Sequence, residues 1–199
     1  MDEGYIKYSC EWENKYIQIP QETLLELNHW RDKLFDLGLI GMYSNGIGYG
    51  NLSTRNHSDT FYVSGSATGG KNTLKEEDYS IVNDWDIKTN TLQCAGRTKA
   101  SSESLSHAAS YEANAQIKAV IHIHSAALWA KYKGVLPTSS DKAAYGTPEI
   151  AIEIKNLVRS SADKTTGIII MGGHEEGILS YAESLQEAGE LLLLRATNS

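Results

Sequence analysis

Apolar residues along this chain recur at two different periods, and the switches between them outline its elements. In QETLLELNHWRDKLFDL (21–37), Leu24, Leu25, Leu27, Leu34 and Leu37 fall near helical spacing, which predicts a helix. Glycines then crowd GLIGMYSNGIGYG (38–50) into a loop that opens into NLSTR and the strand-like TFYVSG. SIVNDWDIKTNTLQCA (80–95) reads as a hairpin turning at Lys88-Thr89-Asn90. SESLSHAASYEANAQ, from 102, suits a helix with Ser101 or Ser102 as its cap. KAVIHIH (118–124) is a strand, and SAALWAKYKG (125–134) a helix closed by Gly134. TPEIAIEIKNLVRSS (147–161) starts with a cap threonine and a proline, then spaces Ile150, Ile152, Ile154 and Leu157 along a helix. TGIIIMGG (166–173) is a buried strand, and YAESLQEAGELLLLRA (181–196) a final helix. Helices and strands mix throughout, with no repeat or linker, so residues 1–199 are expected to form a single α/β domain.

Composition narrows the class of protein. A chain of 199 residues supports one sizeable core, and 41% hydrophobic with 22% charged residues is ordinary for a soluble globular domain. No apolar run approaches membrane-spanning length, and the start shows no basic segment leading into an apolar one. Two cysteines, Cys10 and Cys94, make no disulfide framework and lie in no metal-binding spacing. A cytoplasmic location with no membrane partner is the expectation. A net charge of −7 with scattered lysines and arginines argues against a nucleic-acid partner.

Six histidines then become the candidate chemistry. His29, in a helix, and His57, in the polar loop RNHSD, read as structural or solvated. His122 and His124 differ, because alternate residues of a strand face the same way. Burying two imidazoles on one face without partners costs several kcal/mol, and a metal that takes a lone pair from each removes that cost. A catalytic zinc wants three protein ligands and an open position. His174, presented just beyond the apolar strand and glycines of IIIMGGHEEG, is the candidate third ligand.

Glu103 lies in the first turn of its helix, after Ser101-Ser102, where hydroxyls and backbone amides suit an anion. Taken alone it reads as an acid favoured by the helix dipole, with His107 one turn on as a surface partner. GSATGGKN (65–72) nearly matches a nucleotide-binding phosphate loop, but its last position is Asn72, which lacks the hydroxyl that binds magnesium. A glycine- and hydroxyl-rich turn that donates backbone N–H groups to a phosphate is the more useful reading.

Together these segments resemble the class II aldolase/adducin superfamily, which includes zinc-dependent sugar-phosphate aldolases and epimerases. The resemblance rests on Gly50-Asn51-Leu52-Ser53-Thr54-Arg55, Ser66-Ala67-Thr68-Gly69, Ser101-Ser102-Glu103, His122-Ile123-His124 and His174, in that order. Tyr145-Gly146-Thr147-Pro148-Glu149 adds a further matching segment, and the likeness spans about residues 20 to 195. One departure is that Glu175-Glu176-Gly177 follows His174, where the family commonly has glycine directly after the histidine. A cupin, the other common home of such a histidine pair, would need an all-β chain.

The resemblance implies an α/β fold: a central mixed, largely antiparallel sheet flanked by helices on both faces. It implies zinc, or another divalent metal, on His122, His124 and His174, with Glu103 as the proton-transferring base. It further implies that Asn51, Thr68, Gly69, Ser101 and Ser102 cradle the phosphate of a small sugar phosphate. The implied reaction is aldol-type C–C cleavage through a zinc-stabilised enediolate, in a homotetramer. Epimerisation, dehydration or decarboxylation at the same metal site, and a non-catalytic adducin-like binding domain, are the alternatives.

Overall fold

The computed structural model describes residues 5–56 and 59–197, so His57 lies outside the described residues. Its elements run β1 (Ser9–Glu13), α1 (Gln21–Asp36), β2 (Gly41–Met42), β3 (Gly48–Tyr49), β4 (Asn51–Arg55) and β5 (Phe61–Ser64). After a single 3₁₀ turn at Glu76–Asp78 come β6 (Tyr79–Asp86), β7 (Thr91–Gly96), α2 (Ser104–Ala113) and β8 (Ala119–His124). The chain closes with α3 (Ala126–Tyr132), α4 (Pro148–Ser160), β9 (Gly167–Ile170), β10 (Gly177–Ala182) and α5 (Leu185–Thr197). Eight strands form one sheet in the order β1-β7-β6-β5-β4-β8-β10-β9, and β2 and β3 form a separate small ribbon. Among the described pairs only β1–β7 is parallel, so the sheet is mixed and largely antiparallel as expected.

Each face of the sheet carries its own core. Val120 of β8 packs in one cluster with Leu105 and Ala108 of α2 and Ile150 and Ile154 of α4. Ile121 and Ile123, pointing the other way, join Leu27, Trp30 and Leu34 of α1 and Leu185 and Leu192 of α5. The period-2 strand therefore assigns His122 and His124, in step with Val120, to the α2/α4 side. That parity decides which helices meet the imidazoles.

Several expected elements shift. The final helix starts at Leu185 because Tyr181 and Ala182 belong to β10, a strand between β8 and β9 that the apolar pattern alone does not reveal. The second helix begins at Ser104, with Glu103 at its cap position, so Ser101 and Ser102 lie in the turn before it. The hairpin turns where expected: Asn90 takes a φ of +55°, and the Asp86 carboxylate accepts the Lys88 N–H at 2.8 Å.

The buried stripe of α1 is Leu27, Trp30, Arg31 and Leu34, while Leu25 and Leu37 are exposed. Arg31 occupies a core position at 1% exposure because its guanidinium is spent on a loop. It donates to the carbonyls of Gly69 at 3.0 Å, Asn72 at 2.9 Å and Thr68 at 3.4 Å. Lys71 pairs instead with the buried carboxylate of Asp78, and a 3₁₀ turn rather than a long helix follows. The likeness of GSATGGKN to a nucleotide loop therefore ends with its sequence. Arg31→Met should lower stability by about 2–4 kcal/mol, since it leaves buried carbonyls unsatisfied. Urea unfolding would show this as a lower midpoint at unchanged slope; an unaltered midpoint would mean that the turn holds itself.

Candidate metal and substrate site

His122 and His124 stand on β8 between β4 and β10, with Asn51 directly opposite His122 and Gly177 opposite His124. His174 enters from the turn joining β9 to β10. That turn is closed by His174 N–H donating to the Met171 carbonyl at 3.1 Å and Gly177 N–H donating to the His174 carbonyl at 2.9 Å. Gly172 and Gly173 are needed here, because a Cβ on either would sit 2.1 Å from the carbonyl oxygen of Ser139 or Ala143. The paired glycines after the apolar strand thus let the turn pack down and deliver His174.

The three imidazoles are buried, and their candidate ligand nitrogens all lie within 4.8 Å of one another. His122 Nε2 and His124 Nε2 are 3.0 Å apart. Two nitrogens on a tetrahedral zinc, each about 2.0–2.1 Å from it, stand roughly 3.4 Å apart, so the spacing fits a small divalent ion. Tautomers agree with that fit. His122 Nδ1 donates to the Ile178 carbonyl at 3.1 Å, which leaves its Nε2 lone pair for a metal. Tyr43 donates its hydroxyl to Glu176 Oε2 at 2.7 Å, so its oxygen accepts from His124 Nδ1 at 3.0 Å and leaves that Nε2 available as well. Burial, then the neighbouring His124 and His174, hold His122 well below the ordinary histidine range, which keeps the ring neutral.

Glu103, 2% exposed, comes from the cap of α2 and places Oε1 3.9 Å from His174 Nδ1. Its other oxygen accepts the Ser106 hydroxyl at 2.6 Å. His107, one turn on, is not a surface partner of Glu103. It is fully buried, its Nδ1 meets the Ser53 hydroxyl at 2.7 Å, and burial lowers its pKa to about 3. His29 is exposed on α1, as its solvated reading required.

A cleft of about 200 Å³ brings together Asn51, Thr68, Gly69, Ser101, Ser102, Glu103, His122 and His174, while His124 sits just behind it. Gly69 has no room for a side chain, since a Cβ would lie 2.2 Å from the Gly41 carbonyl oxygen. Thr68 turns its hydroxyl inward to the Gly65 carbonyl at 2.8 Å. Asn51 Oδ1 is buried with no hydrogen-bond partner among the described residues. No lysine or arginine among the described residues lines this cleft, so an anion there would meet neutral N–H and O–H donors and the positive end of α2.

Three nearby residues gave no sequence signal of their own for the role they take. Tyr43 lay within the glycine loop, Glu176 within a departure from the family pattern, and Tyr145 within a matched segment without an assigned part. Tyr145 lays its ring 4.8 Å from that of His174, under the Lys7 ammonium at 3.8 Å.

Comparison with known proteins shows the family and the fold. The profile of the family described as Class II Aldolase and Adducin N-terminal domain matches residues 41–194. An L-fuculose 1-phosphate aldolase is 21% identical, with 90% of this chain and 84% of that chain aligned at a TM-score of 0.67. The L-fuculose-1-phosphate aldolase of Thermus thermophilus is 19% identical over 87% of this chain and 90% of that chain, at a TM-score of 0.62. YgbL of Klebsiella pneumoniae, described by the alternatives aldolase, epimerase and decarboxylase, is 20% identical over 89% and 86%, at a TM-score of 0.66. These likenesses concern the fold, and no curated protein sequence matches the chain. No helix among the described residues is long and apolar enough to cross a membrane. With more than half of its residues inside the family profile, the chain belongs to the class II aldolase/adducin superfamily.

Proposed function

We propose that the chain is a divalent-metal-dependent lyase, with zinc as the preferred ion, that cleaves a small sugar phosphate by aldol chemistry. The observation that carries this reading is the Glu103 carboxylate 3.9 Å from His174, in the cleft that also holds the glycine- and serine-rich turns. His122, His124 and His174 would hold the metal, which when bound supplies Lewis-acid polarisation of the substrate carbonyl. Glu103 Oε1 takes and returns the proton that moves during cleavage, while Ser106 keeps the other carboxylate oxygen in place. Asn51, Thr68, Gly69, Ser101 and Ser102 hold the phosphate through backbone N–H, amide and hydroxyl donors, and this orients the carbonyl end toward the histidines. Tyr43 and Glu176 fix the ring of His124.

The test is product analysis of the metal-loaded protein on a panel of short-chain ketose phosphates. Aldol cleavage releases an aldehyde and a smaller keto phosphate. A product of unchanged mass, or one that has lost water or carbon dioxide, would move the reading to epimerase, dehydratase or decarboxylase chemistry. No turnover across the panel with metal bound would favour a non-catalytic binding domain.

A further inference from the structure

The only two cysteines of this chain, far apart in sequence, meet at the parallel edge of the sheet. Cys10 lies on β1 opposite Leu92, and Cys94 on β7 opposite Trp12, so the two occupy diagonal positions on neighbouring strands. Their Sγ atoms are 3.5 Å apart. Cys94 is buried and Cys10 half-buried, and an open cleft along Glu11, Trp12, Glu13, Asn83 and Gln93 reaches Cys94. A small neutral oxidant therefore has a path to Cys94.

The surroundings of the pair connect it to the candidate active site. Tyr8, next to β1, donates its hydroxyl to the carbonyls of Ala100 at 2.9 Å and Ser101 at 3.0 Å. Ser101 begins the Ser101-Ser102-Glu103 turn. Whatever clamps β1 on β7 also holds the base of that turn.

We propose that Cys10 and Cys94 are a redox modification site, closing to a reversible intramolecular disulfide when the protein meets hydrogen peroxide. In the first step the Cys94 thiolate attacks one peroxide oxygen; the O–O bond breaks, hydroxide leaves, and Cys94 becomes a sulfenic acid. In the second step the Cys10 sulfur attacks the Cys94 sulfur, the S–O bond breaks, and the oxygen departs as water with the Cys10 proton. Two thiols are oxidised and one peroxide is reduced to two waters.

The sulfurs need approach by only about 1.5 Å to reach the bond length of about 2.05 Å. The order of attack follows from the local donors. Either sulfur can donate in the Sγ–Sγ contact, but the Ala100 backbone N–H donates to Cys94 alone, which favours the thiolate there. Cys94 is thus the attacking residue and Cys10 the resolving one.

The experiment treats the reduced full chain with equimolar hydrogen peroxide and maps non-reduced peptides by mass spectrometry. The expected result is one intramolecular Cys10–Cys94 peptide pair, lighter by two hydrogens, that disappears with dithiothreitol. Cys10→Ser, a half-buried change that leaves Cys94 in its setting, should instead accumulate a dimedone-reactive sulfenic acid at Cys94. The proposal is overturned if peroxide yields no pair, joins separate chains, or carries Cys94 to sulfinic acid in the wild type. It is equally overturned if dimedone labels the Cys10→Ser variant nowhere. This outcome does not depend on the lyase reading, because no step of it uses the histidines or a substrate.

Discussion

His122→Ala should purify without its metal. The wild-type chain is expected to carry about one divalent ion, and the variant less than about a tenth of that, because a site of three protein ligands loses one. The physical case rests on commitment: His122 is fully buried, held neutral, and has its Nδ1 proton bound to the Ile178 carbonyl. Its Nε2 is therefore directed at His124 and has no other work among the described contacts. Elemental mass spectrometry of both proteins after dialysis against zinc reads the result directly. The proposed lyase activity should vanish together with the metal. A variant that keeps a full complement of zinc would show that the histidines are structural, and would leave the adducin-like scaffold as the better account.

Glu103→Gln is expected to separate chemistry from metal binding. Glutamine keeps the shape and still accepts the Ser106 hydroxyl, so the cap of α2 should be undisturbed. Glu103 lies outside the group of side chains close enough to share one ion, so zinc content should stay near that of the wild type. What disappears is the carboxylate proposed to take and return a proton, and kcat should fall by about 10²–10⁴-fold with little change in KM. Full activity in this variant would remove Glu103 as the base. A loss of zinc would instead make it part of the metal's support, an outcome that its 3.9 Å separation from His174 Nδ1 argues against.

Much of the site was legible because its signals are local. The H-x-H of β8 states its own geometry, since a strand turns alternate side chains the same way. The glycines before His174 announce a close turn, and the structure supplies the reason in the carbonyls of Ser139 and Ala143. Other parts were hidden. β10 reads as GILSYA, a short run that shades into the helix signal of ESLQEAGE, and only its pairing with both β8 and β9 makes it a central strand. β1 is a polar edge strand with exposed Ser9, Glu11 and Glu13, so it carries almost no apolar pattern to recognise. His107 looked like a surface residue beside Glu103, because spacing along a helix says who neighbours whom but not which side is buried.

The sequence by itself determined the α/β character, the strand that aligns His122 with His124, and the order of the segments that meet at the cleft. Periodicity, turn chemistry and ligand type act over a few residues, and such information survives in a linear reading. Only the tertiary structure decided that β8 turns its imidazoles toward α2, that Glu103 reaches His174, and that Arg31 leaves solvent to hold the turn at Thr68 and Gly69. It alone joined Cys10 to Cys94 and gave Tyr43 and Glu176 to His124. Each of these contacts joins residues far apart in the chain. Their meeting depends on strand order and on which face of the sheet each helix covers, and both are settled when the whole core packs.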